Sequence, residues 1–316
     1  MSDSVLVYKG TELANYGFGD SHPFGIDRHD VFQNELAAAG LGDAIRFGRP
    51  HRASVDELLL FHTADYINLV SMKSAEGQGY LDDGDTPAIA GIFDAASDVV
   101  GTTLAAVNAV MQGDCRRAFV PIAGLHHAAR DRAAGFCVFN DCGVAVEYLR
   151  KHHGLRRIAY VDIDAHHGDG VFYGFVDDPD LLFADIHEDG RYLYPGTGAA
   201  EETGSGKALG TKLNIPMAPG ATDEDFAREW ARVERYLHDA QPEFILFQCG
   251  ADSLEGDPIT HLCYTEQAHA DAAAALCRIA DQYCAGRIVA TGGGGYNRQN
   301  LARAWTRVVQ SFVAAG

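Results

Sequence analysis

RRIAYVDIDAHHGDG (residues 156–170) changes character partway along. RRIAYV (156–161) supplies the short apolar, β-branched run expected of a buried strand. The nine residues that follow, DIDAHHGDG (162–170), hold three aspartates and two histidines. A dense ionisable cluster therefore sits where a strand ends. In open α/β sheets, ligands collect in the crevice beyond the carboxyl ends of the strands. A lone cluster can also be a solvated loop, so the rest of the chain has to decide.

Working outward, apolar strand-like runs alternate with longer amphipathic stretches. Candidate strands are VLVY (5–8), RAFVP (117–121), RIAYV (157–161), LLFADI (181–186), TKLNI (211–215), FILFQ (244–248) and RIVAT (287–291). Candidate helices include 88–112, 140–152, 222–239, 265–284 and 298–314. Ser54 with Glu57 forms a capping-box pattern ahead of the apolar LLLF. This alternation predicts an α/β fold, with a mainly parallel sheet covered by helices on both faces. The strand ends share a chemistry. IAGLHHA follows the second run, HEDGRYLYPGTG follows LLFADI, CGADSLEGDP follows FILFQ, and GGGGYN follows RIVAT. In a parallel sheet these ends face one edge, so residues distant in sequence are expected to converge there.

Composition narrows the function classes. No low-complexity tract, repeat or linker interrupts the 316 residues, which predicts one domain over 1–316. The net charge of −19 opposes phosphate backbones, making nucleic acid an unsuitable direct partner and cations suitable ones. No apolar run reaches the roughly 18 residues of a membrane span. The opening MSDSVLVYKG lacks the sections of a signal peptide, which predicts a cytoplasmic protein. Seven cysteines form no CxxC pair and do not suggest a disulfide framework.

A metal is the simplest reason to gather carboxylates and imidazoles. Asp164 and His166 can fall on one side of an extended segment, and Asp252 from another strand end can close a three-ligand site. Three protein ligands and an open position is the catalytic zinc arrangement. His126 and His127 lie at a strand end and suit acid-base work. By contrast, His152 and His153 end a helix and are expected to be structural. Asp162 and Asp169 can each orient one imidazole. TGSGKALG (203–210) and GGGGYN (292–297) both fail the phosphate-loop patterns. The second run instead lets the backbone bend tightly and present Tyr296, whose hydroxyl can donate to an oxyanion.

Together GLHHA with GFCVFND, YVDIDAHHGDGV, YPGTG, CGADSLEGDP and GGGGYNRQNLARAW resemble the zinc-dependent histone deacetylase superfamily. That superfamily includes bacterial acetoin-utilisation proteins and acetylpolyamine amidohydrolases. The resemblance runs from about residue 15 to 311. It implies the arginase/deacetylase fold, with a central sheet of eight strands between helices. It also implies one zinc on Asp164, His166 and Asp252, His127 as base and then acid paired with Asp169, and His126 paired with Asp162. Tyr296 would hold the oxyanion. Gly135, Phe136 and Tyr194 would line a narrow channel, with Ile259 at its mouth and Asp85 binding the substrate backbone. A structural potassium ion is implied near Asp162, Asp164 and His166, although Asp185 stands where many relatives have serine. Tyr194 replaces a frequent phenylalanine. His167 receives no role.

The expected activity is hydrolysis of an N-acyl amide, of lysine or of a small amine, with an acetylpolyamine as the alternative substrate. Ile259 is apolar where a glutamate would attract a distal ammonium, which favours acyl-lysine or a small acylated amine. DAHHGD also loosely resembles the motif of two-manganese ureohydrolases, but GADSLEGDP lacks their second near-adjacent aspartate. A non-catalytic reader of acylated amines would not need both histidines and Tyr296.

Overall fold

The computed structural model describes residues 4–19 and 22–316. The first three residues of MSDSVLVYKG lie outside the described residues. The strands are β1 (Val5–Tyr8), β2 (Ile45–Gly48), β3 (Arg117–Val120), β4 (Ile158–Asp162), β5 (Leu181–Glu188), β6 (Lys212–Met217), β7 (Phe244–Gln248) and β8 (Ile288–Thr291). The helices are α1 (Thr11–Ala14), α2 (Arg28–Ala38), α3 (Val55–Leu58), α4 (Ala64–Glu76), α5 (Ile92–Gln112), α6 (Asp141–His153), α7 (Asp169–Gly174), α8 (Asp223–Ala240), α9 (Glu266–Tyr283) and α10 (Arg298–Ala314).

All eight strands join one sheet in the order β2-β1-β3-β8-β7-β4-β5-β6. Every pairing is parallel. Parallel strands must be covered on both faces, and the central strands show it: each residue of β3, β4, β5, β7 and β8 is buried. Helices α2, α10, α9 and α8 pack side by side as one layer, and α4, α5 and α6 as the other. On the first side Trp305, fully buried, meets Phe32 edge-on and leans over Phe119. Among the described residues no helix is long and apolar enough to cross a membrane.

Helix starts follow the chemistry of their caps. Ser54 and Glu57 form the expected reciprocal box at α3, and Thr222 with Asp225 forms another at α8. Asn140, Thr265 and Asn297 accept first-turn N–H groups of α6, α9 and α10. The helix expected from residue 88 begins at Ile92, because Gly91 adopts a left-handed conformation that no helix can include. The eighth strand, β2, had no candidate run: IRFG lies at the sheet edge, with no fully buried residue. TGSGKALG forms a short 3-10 turn over Gly206–Ala208.

Sheet order is what assembles the cluster. The five strands followed by His, Asp or Gly-Tyr segments are consecutive neighbours, β3-β8-β7-β4-β5. Pairing continues past their ends: Ile163 N–H donates to Gln248 O at 3.1 Å, Cys249 N–H to Thr291 O at 3.0 Å, and Gly292 N–H to Val120 O at 3.1 Å. The loops after β4, β7 and β8 therefore begin as continuations of the sheet ladder.

Candidate active site

Asp164 and His166 leave β4, and Asp252 lies in the short turn after β7. Their ligand atoms all lie within 4.8 Å of one another. His166 Nδ1 is 3.1 Å from both Asp164 Oδ1 and Asp252 Oδ2. Two buried carboxylates and an imidazole converging on one point form a hard-borderline donor set suited to a divalent cation. The surrounding backbone aims them. Asp164 Oδ2 accepts from Gly294 N–H and Gln248 Nε2, each at 2.8 Å, and Asp252 Oδ1 accepts from Ala165 N–H at 2.9 Å. At Gly250 a Cβ would overlap the Asp164 carboxylate, so glycine there is a condition of the close approach. Burial and the neighbouring Asp164 charge push the Asp252 carboxyl up.

The tandem histidines stand beside this group. His126 Nδ1 is 2.8 Å from Asp162 Oδ2, and His127 Nδ1 is 2.7 Å from Asp169 Oδ1. The two Nε2 atoms lie 3.2 Å apart, so a proton on one opposes a proton on the other. Their surroundings drive them apart. Burial opposes charge on His126, but Asp162, Asp164 and Asp185 outweigh it and push the imidazole up to about 9. His127 is pushed down to about 4 by burial and by His126, against the opposing pull of Asp169. Across the cavity the Tyr296 hydroxyl stays protonated, since burial and Asp252 push it well above its ordinary range.

A channel of about 220 Å³ leads to these groups, lined by Asp85, His127, Gly135, Phe136, His166, Leu193, Tyr194, Ile259 and Tyr296. All five expected lining residues are there. Phe136 sits at a φ of 68°, unusual for a bulky residue, and is fixed from both sides. Tyr16 Oη donates to its carbonyl at 2.7 Å, and its N–H donates to Thr86 Oγ1 at 3.1 Å. Gly135 (φ 53°) passes so near His127 that a Cβ would meet the imidazole ring. The Tyr194 ring stands edge-on to His127 at 5.1 Å and is 46% exposed, so the channel wall it forms borders solvent.

Over the span from 22 to 312 the chain matches the model of the histone deacetylase domain. The chain belongs to the histone deacetylase family. It is 40% identical to the acetoin utilization protein AcuC of Bacillus subtilis over 98% of its length and 81% of that protein's. A probable deacetylase of Archaeoglobus fulgidus is 36% identical, over 88% of this chain and 77% of its own. The crystal structure of the HDA15 HD domain superposes with a TM-score of 0.91 at 25% identity, covering 99% of this chain and 90% of that one. This member of the family is therefore an amide-hydrolysing deacetylase with the arginase/deacetylase fold.

Several residues of this deacetylase's site had no part in the sequence reading. Gln248 supports Asp164 and accepts Gly250 N–H at 2.7 Å; its signal was a polar residue closing the apolar run FILFQ. Arg28 is fully buried and donates to Gly295 O at 3.0 Å and Gly293 O at 2.7 Å, bracing the tyrosine loop. Asp141 accepts from Gly124 and Leu125 N–H and so shapes GLHHA. His167 Nδ1 pairs with Thr197 Oγ1 at 2.8 Å, away from the ligand group. Asp185, expected beside a potassium ion, directs its oxygens to His187 Nδ1 at 2.7 Å and Gly168 N–H at 2.8 Å. Its charge is thereby met by an imidazole of the chain itself.

Proposed function

We propose that this deacetylase is a single-zinc amidohydrolase, acting as one domain, that removes the acyl group from an acylated lysine side chain or a small acylated amine. The observation that carries the reading is the meeting of one Asp-His-Asp donor group, a tandem His pair and a tyrosine at the floor of one narrow channel. Asp164, His166 and Asp252 would hold the zinc. When bound, zinc supplies a Lewis acid that polarises an amide carbonyl and acidifies water.

The chain's own groups account for the remaining steps. Gly135, Phe136, Tyr194 and Ile259 enclose the alkyl stem and exclude bulk water, and Asp85 at the mouth accepts a backbone N–H of the substrate. His127, neutral and oriented by Asp169, takes a proton from the attacking water at Nε2. Tyr296 donates to the oxygen that gains negative charge. His127 then returns its proton to the leaving amine nitrogen, giving a carboxylate and a free amine. His126, held charged by Asp162, opposes a second charge on its neighbour and so keeps His127 a ready acid once it is protonated. Seven free cysteines, six of them buried, are in keeping with a reducing cytoplasm.

The deciding experiment is kcat/KM of the zinc-loaded protein on an acetyl-lysine peptide and on an N-acetylated polyamine, with metal content measured in parallel. One zinc per chain and turnover of the peptide are expected. Two metals per chain, or binding of both amides with no turnover, would overturn the reading.

A further inference from the structure

The carboxylate of Asp257 joins two loops that are 39 positions apart in the chain. One oxygen, Oδ1, accepts Ile259 N–H at 3.1 Å, while Oδ2 accepts the N–H groups of Tyr296 at 2.8 Å and Asn297 at 3.3 Å. Asp257 is 7% exposed, so these contacts have little competition from water. Asn297 fastens the same junction a second time: its Nδ2 donates to Gly256 O at 3.1 Å while its Oδ1 caps α10. Upstream, Arg28 and Asp164 hold residues 293–295. At Tyr296 itself the Asp257 carboxylate takes over.

The Tyr296 ring has lighter restraint than its backbone. It meets Phe136 edge-on at 5.8 Å and the Arg28 guanidinium at 5.7 Å. A phenol is a rigid lever, so a small rotation at its Cα sweeps the hydroxyl across the cavity floor. The peptide N–H that Asp257 grips sets that rotation. Through Oδ1 the same carboxylate also fixes Ile259, one wall of the channel mouth.

We propose that Asp257 is a positioning residue, which locks the backbone of Tyr296 to the mouth loop bearing Ile259 and so aims the phenol at the reacting carbonyl. This rests on the role of Tyr296 given above. The residue must be an acid: three N–H donors converge on two oxygens, and an amide in its place turns an NH₂ group towards at least one of them.

A double-mutant cycle tests it on the zinc-loaded full chain, comparing wild type, Asp257→Asn, Tyr296→Phe and the pair, with kcat, KM and zinc content for each. Asp257→Asn is expected to lower kcat by about 10- to 100-fold, the scale of a misplaced catalytic group. In the Tyr296→Phe background the same change is expected to cost no more than about twofold, with zinc content unchanged throughout. Equal losses in both backgrounds, or zinc loss from Asp257→Asn, would overturn the proposal and leave Asp257 a structural or metal-site residue. Wild-type turnover by Tyr296→Phe would instead remove the reading of Tyr296, and the proposal with it. Should Asp257→Asn not fold, Asp257→Glu keeps the charge, displaces the carboxylate by one methylene and carries the same cycle.

Discussion

His126 and His127 follow a strand of the sheet; His152 and His153 close helix α6. The first pair is buried, each ring bound to its own carboxylate and the two facing each other at 3.2 Å. In the second, His152 is exposed and lies against Tyr148, and His153 Nε2 donates to Asn108 Oδ1 at 3.0 Å ahead of the left-handed Gly154. The dipeptide is the same, so the difference comes from what the fold places around it. At a strand end, the extra acids around His126 push it up against burial, and burial together with the charge on His126 pushes His127 down. At a helix end, solvent leaves them little to do beyond finishing the helix.

Activity gives the widest separation. His127→Ala is expected to lower kcat by about 10²- to 10⁴-fold, the usual contribution of a positioned acid-base group, while His152→Ala changes kcat by less than about twofold. Steady-state kinetics on one acylated substrate would measure both. Comparable losses would mean that the pairs are not functionally distinct.

Tyr296→Phe sharpens the same contrast from across the cavity. It removes only the hydroxyl, and about 2 to 4 kcal/mol of transition-state stabilisation should go with it, by the scale of a lost oxyanion donor. The loss should fall on kcat with KM little changed. A variant that turns over like wild type would leave the tandem histidines without an oxyanion partner.

Much of this contrast was legible in the sequence. Polar clusters after apolar strands are conspicuous, and a parallel sheet has one place to put them, which is why Asp164, His166, Asp252, His126, His127 and Tyr296 were found together. What escaped notice was supporting structure. In α2, Arg28, His29 and Gln33 share the buried face with Phe32 and Leu36, so hydrophobic periodicity has no stripe to reveal. In β2 the opposite holds, because an edge strand buries too little to need an apolar run. Arg28 and Asp257 act on backbone groups, and a bond to a peptide N–H or carbonyl leaves no motif in the partner's side chain.

A third buried histidine asks how far burial drives an imidazole down where no second histidine adds to it, as His126 does at His127. His62 accepts Asn140 N–H through Nε2 at 2.9 Å, and burial pushes it down to about 3. Its folded value lies below the unfolded 6.5, so its contribution is present above pH 6.5 and lost as pH falls towards 3. At pH 5 the loss should reach about 2 kcal/mol. His62→Gln keeps an acceptor without a titrating group, so its denaturant stability should fall less between pH 7.5 and 5 than that of wild type. Identical slopes would show that other groups carry the acid sensitivity.

The smallest effect belongs to the helix end. Burial, His152 and Arg287 hold His153 below the ordinary histidine range, so at neutral pH it is mostly uncharged and adds little to the dipole interaction at the end of α6. Arg150 and Lys151 in the same turn supply that charge. What His153→Ala removes is therefore mainly one hydrogen bond to Asn108, worth about 0.5 to 1 kcal/mol and visible as a small drop in Tm with kcat unchanged. A larger loss of stability would mean that the pair packs α6 against α5, the helix that carries Asn108, as much as it ends α6. A loss of activity would be more serious. It would have to travel from the far end of α6 to the Asn140 end, where that residue's side chain donates to the carbonyls of His126 and Ala128, and the two histidine pairs would then be coupled through one helix.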